Sequence, residues 1–200
     1  MDISAENIEK LLKDVTSFND ISLEEIPDID LYMDQVTTLF EKKLHPLKRD
    51  AGDKIMTKTM INNYAKAKIF PPVKSKKYNK DQIILLELIY NLKQNLSLTD
   101  IDTIFTPVIE DTKKDVKELS SIEDLYRCFL DIKKQQLEAF QQQYDNLNTN
   151  IEKRTEQLEP KNYQLNQLII MVLMLISQAN IEKRMAEKLI DNFLKKEEEK

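Results

Sequence analysis

Residues 56 to 78 read Met56-Thr-Lys-Thr-Met-Ile-Asn-Asn-Tyr64-Ala-Lys-Ala-Lys-Ile-Phe70-Pro-Pro-Val-Lys-Ser-Lys-Lys-Tyr78. Thr57 offers an N-cap. Pro71-Pro72 ends the helical stretch, because proline lacks the amide donor and pushes the residue before it out of helical geometry. On a helical wheel, Met60, Tyr64 and Ala67 gather on one side. Lys58, Asn62 and Lys66, each four apart, form a stripe on the opposite face with Thr59 at its border. The spacing predicts a helix held by its apolar side that presents Lys-Asn-Lys outward. The connection from Val73 to Tyr78 adds Lys74, Ser75, Lys76 and Lys77 beside it.

Charge sharpens this picture. The 200-residue chain has a formal net charge of -5, yet Lys54 to Lys80 contains eight lysines and no acid, which leaves -13 on the rest. Such a concentrated basic stretch attracts a polyanion locally, while the acidic remainder discourages nonspecific coating. Lysine far outnumbers arginine, and Asn and Ile are frequent; coding bias accounts for that, but not for the missing acids. A lone glycine, Gly52, excludes P-loop and dinucleotide fingerprints, which need several residues without a Cβ close to phosphate. One histidine, His45, and one cysteine, Cys128, cannot assemble a structural zinc site or a nucleophilic triad, and there is no Glu-x-x-His pair for a di-iron bundle. The expectation is therefore a protein with no catalytic residues, no metal and no cofactor. Asp28, Asp30 and Asp34 are read as helix-start acids favoured by the dipole. With no pairing partner for Cys128, no N-terminal apolar segment and no apolar run of about 18 residues, a soluble, cytoplasmic protein without a membrane partner is expected.

Outward from the quoted stretch, few Gly and Pro beside many Leu, Lys, Glu and Gln predict helices with short connections. Ile8, Leu11, Leu12, Val15 and Phe18 mark a leader helix, followed by a capping-box pattern from Ser22 to Glu25. Asp28 and Asp30 are expected to cap a helix striped with Met33, Val36, Leu39, Phe40 and Leu44 and stopped at Pro46, with a loop from His45 to Asp53. Asn79 and Gln82 form another capping box ahead of a helix from Asp81 to Gln94, and Ser97 with Asp100 starts a short one. From Ile122 a heptad-like seam runs through Leu125, Phe129, Ile132, Leu137, Phe140, Tyr144, Leu147 and Ile151 to Leu158 on a helix approaching ~36 residues. The nine apolar residues Leu168 to Ile176 read as a helix surrounded by others. Asn180 is then expected to cap a last amphipathic helix with Ile181, Met185, Leu189 and Phe193, ahead of a fraying tail from Lys195 to Lys200.

One stretch of about 55 residues resembles the MerR-like winged helix-turn-helix regulators. Tyr64 at a helix end, Ile69-Phe70-Pro71-Pro72, Lys76-Lys77-Tyr78-Asn79, the helix from Asp81 to Gln94 and Ser97-Leu98-Thr99-Asp100-Ile101 follow their order without a gap. Met56 to Tyr64 followed by Pro-Pro and Lys-Lys-Tyr is also similar to an uncharacterised domain-of-unknown-function family of Gram-positive bacteria with this arrangement. Lys68 stands where the regulators usually have the turn glycine, so it must take a positive φ or alter the turn. The expected fold is all-α, a MerR-like winged helix-turn-helix head with a C-terminal helical bundle containing one long coiled-coil-like helix. The expected domains are a leader at 1–27, a DNA-binding head at 28–106 and a dimerisation bundle at 107–200.

The expected function is a sequence-specific transcriptional regulator that reads the major groove of double-stranded DNA with the helix around 57–68. Its candidate DNA contacts are Lys54, Lys58, Thr59, Asn62, Asn63, Lys66, Lys68, Lys74, Lys76, Lys77 and Lys80, with lysines for phosphate and an asparagine amide for a base edge. Asn63 lies nearer the core border, where hydrogen bonding to local backbone is the alternative use. The resemblance implies a homodimer through the helix 122–158, and the bundle is where a small-molecule effector, if there is one, would bind. The competing reading is a non-enzymatic helical module whose basic stretch binds an acidic protein partner.

Overall fold

The computed structural model describes residues 5–17, 20–114, 118–156 and 163–195. Its elements are α1 (Ala5–Thr16), β1 (Leu31–Tyr32), α2 (Met33–Leu44), α3 (Lys58–Lys66), β2 (Lys77–Tyr78), α4 (Lys80–Lys93), α5 (Leu98–Asp111), α6 (Ile122–Thr155) and α7 (Tyr163–Leu189). Short 3-10 turns lie at Leu23–Glu25 and His45–Leu47, and π-type turns at Ile190–Leu194 extend α7. The protein is thus mainly helical with a long C-terminal helix, as its composition implies. The chain divides into two compact units that do not follow sequence order: residues 1–18 with 131–186, and residues 19–130 with 187–200. The leader expected at 1–27 is shared between them, and α5 continues past residue 106.

In the larger unit α4 is the central element. Gln82, Ile83, Ile84, Leu85, Leu86, Glu87 and Ile89 are all buried, so this helix is covered all round rather than on the single stripe its sequence suggests. Val36, Phe40 and Leu44 of α2, Ile61 and Tyr64 of α3, and Ile101 and Phe105 of α5 complete the core. Near the start of α6, Tyr126 is fully buried and its hydroxyl donates to the Ile21 carbonyl at 2.7 Å. Burial raises its pKa, so it stays a neutral donor.

Several helix starts follow the side chains read in the sequence. Thr57 accepts from the Met60 amide at 3.1 Å. Asn79 and Gln82 exchange hydrogen bonds at 2.9 and 3.0 Å, and Ser97 and Asp100 do so at 3.1 and 3.2 Å. Asp28 and Asp30 do not cap α2. A strand intervenes, and the Tyr32 amide instead donates to Gln35 Oε1 at 2.8 Å. Nor is α5 short: it spans 14 residues and carries Pro107 inside it. Asp111, near its end, accepts from the amides of Glu118 and Leu119 at 3.1 and 3.0 Å.

In the smaller unit α1, most of α6 and α7 pack by partial stripes. Leu12, Ile151 and Met171 are buried there, and Ile8, Leu137, Phe140, Tyr144 and Leu147 are half-buried, so much of the α6 seam is engaged within the chain. Phe18 and Leu158, expected members of these stripes, and Lys196 to Lys200 of the tail lie outside the described residues. Two expectations for α7 are corrected. Asn180 caps nothing, because the helix runs through it and its carbonyl accepts from Arg184 Nε at 3.2 Å. Nor is the run from Leu168 to Ile176 surrounded: Ile169, Val172, Leu173, Met174 and Ile176 are exposed, and only Met171 of this stretch is buried. Met171 is buried, and Leu168, Ile170 and Leu175 are half-buried, because α1 and α6 cover a single side of the helix. The helix from Tyr163 to Leu194 is long and apolar enough, by length and composition, to cross a membrane.

Candidate functional site

The candidate surface is built on β1, the start of α2, α3 and the hairpin before α4. The buried side of α3 is set by Ile61 at 0% exposure and Tyr64 at 6%, with Met60 half-buried, whereas Ala67 is an exposed C-cap residue. The apolar face is therefore rotated from the Met60-Tyr64-Ala67 line. Ile61 was the missed anchor, and its only signal was a β-branched apolar residue one position from Met60 and three from Tyr64. The outward stripe survives the rotation: Lys58, Thr59, Asn62, Asn63 and Lys66 are all exposed.

Lys68 resolves the turn after α3 by adopting φ 59°. The Ile69 amide donates to the Tyr64 carbonyl at 3.2 Å and the Lys68 amide to that of Ala65 at 3.1 Å. These are the two bonds of a Schellman ending, with lysine in the left-handed position that glycine usually fills. Ile69 and Phe70 are then buried, and Phe70 meets Tyr78 at 6.3 Å between ring centroids. Burial raises the pKa of both Tyr64 and Tyr78, as expected for packing residues.

The segment Lys74-Ser-Lys-Lys77 closes on itself. Ser75 and Lys76 have φ 51° and 59°, and the Lys77 amide donates to the Lys74 carbonyl at 2.9 Å, the geometry of a type I′ hairpin turn. The outgoing strand pairs antiparallel with β1, Leu31 opposite Tyr78 and Tyr32 opposite Lys77. Lys77 Nζ sits 5.1 Å from the Tyr32 ring centroid, a cation-π contact that sequence reading missed because it depends on strand register. The buried Gln82 side chain donates to the carbonyls of Pro71 at 2.8 Å and Pro72 at 3.3 Å, fastening the approach to the hairpin onto α4.

The eight lysines differ in what they face. Lys58 pairs with Asp34 of α2, and Lys80 with Asp28 at 3.0 Å and Glu123 at 3.8 Å; the Asp28 bond raises the Lys80 pKa. Asp34 lies in the first turn of α2, as expected of a helix-start acid, and also pairs with Lys58, whereas Asp28, ahead of β1, is a lysine partner and not a helix-start residue. Lys54, Lys66, Lys68, Lys74 and Lys76 are exposed and form no ion pair among the described residues. Also among the described residues, no group of three or more His, Cys, Asp or Glu is placed to hold a metal ion.

Residues 21–129, more than half of the chain and nearly all of this unit, match the model of the domain of unknown function DUF1836. The chain belongs to the DUF1836 family. No curated protein and no solved structure matches it. The surface described above lies wholly inside the DUF1836 domain, whereas α7 up to Ala186 lies outside the matched residues.

Proposed function

We propose that this DUF1836 protein is a sequence-specific, dimeric DNA-binding regulator of MerR-like winged helix-turn-helix type. In this reading α3 enters the major groove and the hairpin Lys74 to Tyr78 is the wing. The observation that carries the proposal is the exposed Lys58-Asn62-Lys66 stripe of α3, joined to a hairpin whose turn presents Lys74 and Lys76. Asn62 can pair bidentately with adenine, while Lys54, Lys66, Lys68, Lys74 and Lys76, which form no ion pair among the described residues, are cations suited to phosphate. Lys58 exchanges Asp34 for phosphate on binding at little cost, because an exposed ion pair contributes at most about 1 kcal/mol. Lys77 and Lys80, already held by Tyr32, Asp28 and Glu123, set the hairpin base.

The test is selection of bound duplexes from genomic fragments, followed by fluorescence anisotropy on the winners. Lys66→Ala should weaken every duplex by a similar factor, while Asn62→Ala should flatten discrimination between cognate and mismatched sites by roughly 1–3 kcal/mol. If no duplex is enriched and none binds at low salt, the proposal fails.

A further inference from the structure

Between α1, α6 and α7 of the smaller unit lies a cleft of about 430 Å³, within the size range of small-molecule sites. Leu12 of α1 and Met171 of α7, both buried, form an apolar floor with the half-buried Leu168. The wall from α6 is different. Gln141, Tyr144, Asp145, Asn148 and Glu152 stand three, four, seven and eleven apart, the spacing at which a bundle helix turns one stripe toward its neighbours. A stripe that only had to pack would be apolar, and this one carries two amides, two acids and a tyrosine.

The charge of the rim has one sign. Glu9, Asp145 and Glu152 border the cleft and, among the described residues, no Lys, Arg or His does. Glu9 is offset by Lys13 at 2.7 Å. Asp145 and Glu152 form no ion pair among the described residues. Each accepts from an amide instead, Asp145 from Gln141 Nε2 at 3.2 Å and Glu152 from Asn148 Nδ2 at 2.8 Å. Those bonds use the amide N–H groups and leave the carboxamide oxygens, like the other carboxylate lone pairs, to accept from a donor. A cation bearing N–H groups meets both needs. The acids are also spread out: seven residues separate Asp145 from Glu152, about 10 Å along α6 and nearly in line. Among the described residues no group of three acids is close enough to hold a metal ion, so the complement of this rim is an extended cation and not a point charge.

We infer that this cleft binds a linear aliphatic polyamine, with one ammonium at Asp145, another at Glu152 and the methylene chain between them on Leu12, Leu168 and Met171. The Tyr144 ring, beside Asp145 on the same wall, offers a π-face to the ammonium held there. The site lies outside the DUF1836 residues, and it stands or falls without DNA.

The test is isothermal titration of the full chain with spermidine at about 150 mM salt, where diffuse surface attraction is screened. No duplex is present, because spermidine itself binds DNA. One site per chain with a dissociation constant below about 1 mM is expected. Putrescine is too short to reach both carboxylates and should bind at least about 10-fold more weakly. Asp145→Asn and Glu152→Gln should keep the helix content seen by circular dichroism and each weaken spermidine at least about 10-fold, through loss of one charge-assisted hydrogen bond. Glu138→Gln removes an exposed acid of α6 that does not border the cleft and should leave the affinity unchanged. No spermidine binding, equal affinity for the two amines, or unchanged affinity in either cleft variant would overturn the proposal. So would an equal loss in Glu138→Gln, which would mean diffuse attraction to an acidic helix.

Discussion

Lys68, Ser75 and Lys76 hold backbone conformations that cost an L-residue about 1–2 kcal/mol each, and the hydrogen bonds of the turns they form are what sustain them. At Lys68 no side-chain partner among the described residues compensates, so Lys68→Gly should raise stability by about 1 kcal/mol, read as a higher denaturant midpoint with unchanged slope. A lower midpoint would show that the lysine side chain stabilises the turn. Lys76→Gly separates stability from binding. It relieves the same strain while removing one cation, so the folded state should gain stability while duplex affinity falls and the logarithmic salt slope shrinks by about 0.9. Asp111 gives a pH prediction. Hydrogen bonds from the Glu118 and Leu119 amides, and then Lys114, hold its carboxyl below the usual carboxylate value. The contribution is therefore complete above the unfolded-state pKa and is lost as pH falls through the lower folded value. Asp111→Asn should lower Tm at pH 7 and lose less than the wild type on acidification; parallel Tm curves for the two proteins across pH 7 to 3 would refute this.

Among the elements, those whose ends are signalled by local chemistry were legible in the sequence. The starts of α3, α4 and α5 follow Thr57, Asn79 and Ser97, and α2 stops ahead of Pro46, because caps and proline act within a few residues and need no tertiary partner. What escaped depends on packing across distance. The rotation of α3 onto Ile61, the pairing of Tyr32 with Lys77, and the Asp34–Lys58 and Asp28–Lys80 contacts join residues whose proximity no spacing encodes. The α7 run was misread for a related reason: nine apolar residues describe a helix that wants cover without saying which molecule supplies it. Gln82 shows local and long-range roles in one side chain, since its capping of α4 was legible and its bonds to the Pro71 and Pro72 carbonyls were not. Gln82→Ala removes both and should cost about 1–2 kcal/mol of stability, because the hydrogen bonds lost are only part-buried and water can reach the groups left behind. Gln82→Glu keeps the acceptor for the Asn79 amide but turns a donor toward Pro71 into an acceptor, so it should rescue little; rescue to wild-type stability would show that the proline carbonyls do not matter.

At the scale of the whole molecule, the net charge of -5 conceals a +8 stretch in a -13 remainder, and that separation governs how a polyanion would be met. A uniformly basic protein binds any duplex tightly, whereas here the net positive charge is concentrated between Lys54 and Lys80 and the remainder is net acidic. Five lysines per copy, Lys54, Lys66, Lys68, Lys74 and Lys76, have no ion pair among the described residues to surrender, so they bound the phosphates neutralised without loss of such a contact. Counterion release then sets the slope of log affinity against log salt near -4.5 for one copy and near -9 for two, at about -0.9 per phosphate. Between 50 and 200 mM salt, one copy should lose affinity about 500-fold, and a dimer on a two-fold site far more. The slope measured on a selected duplex therefore reports both the charge count and the number of copies engaged. A slope near zero for the wild type would mean that the lysine face does not meet phosphate, and a slope near -4.5 on a two-fold site would mean that one copy binds at a time.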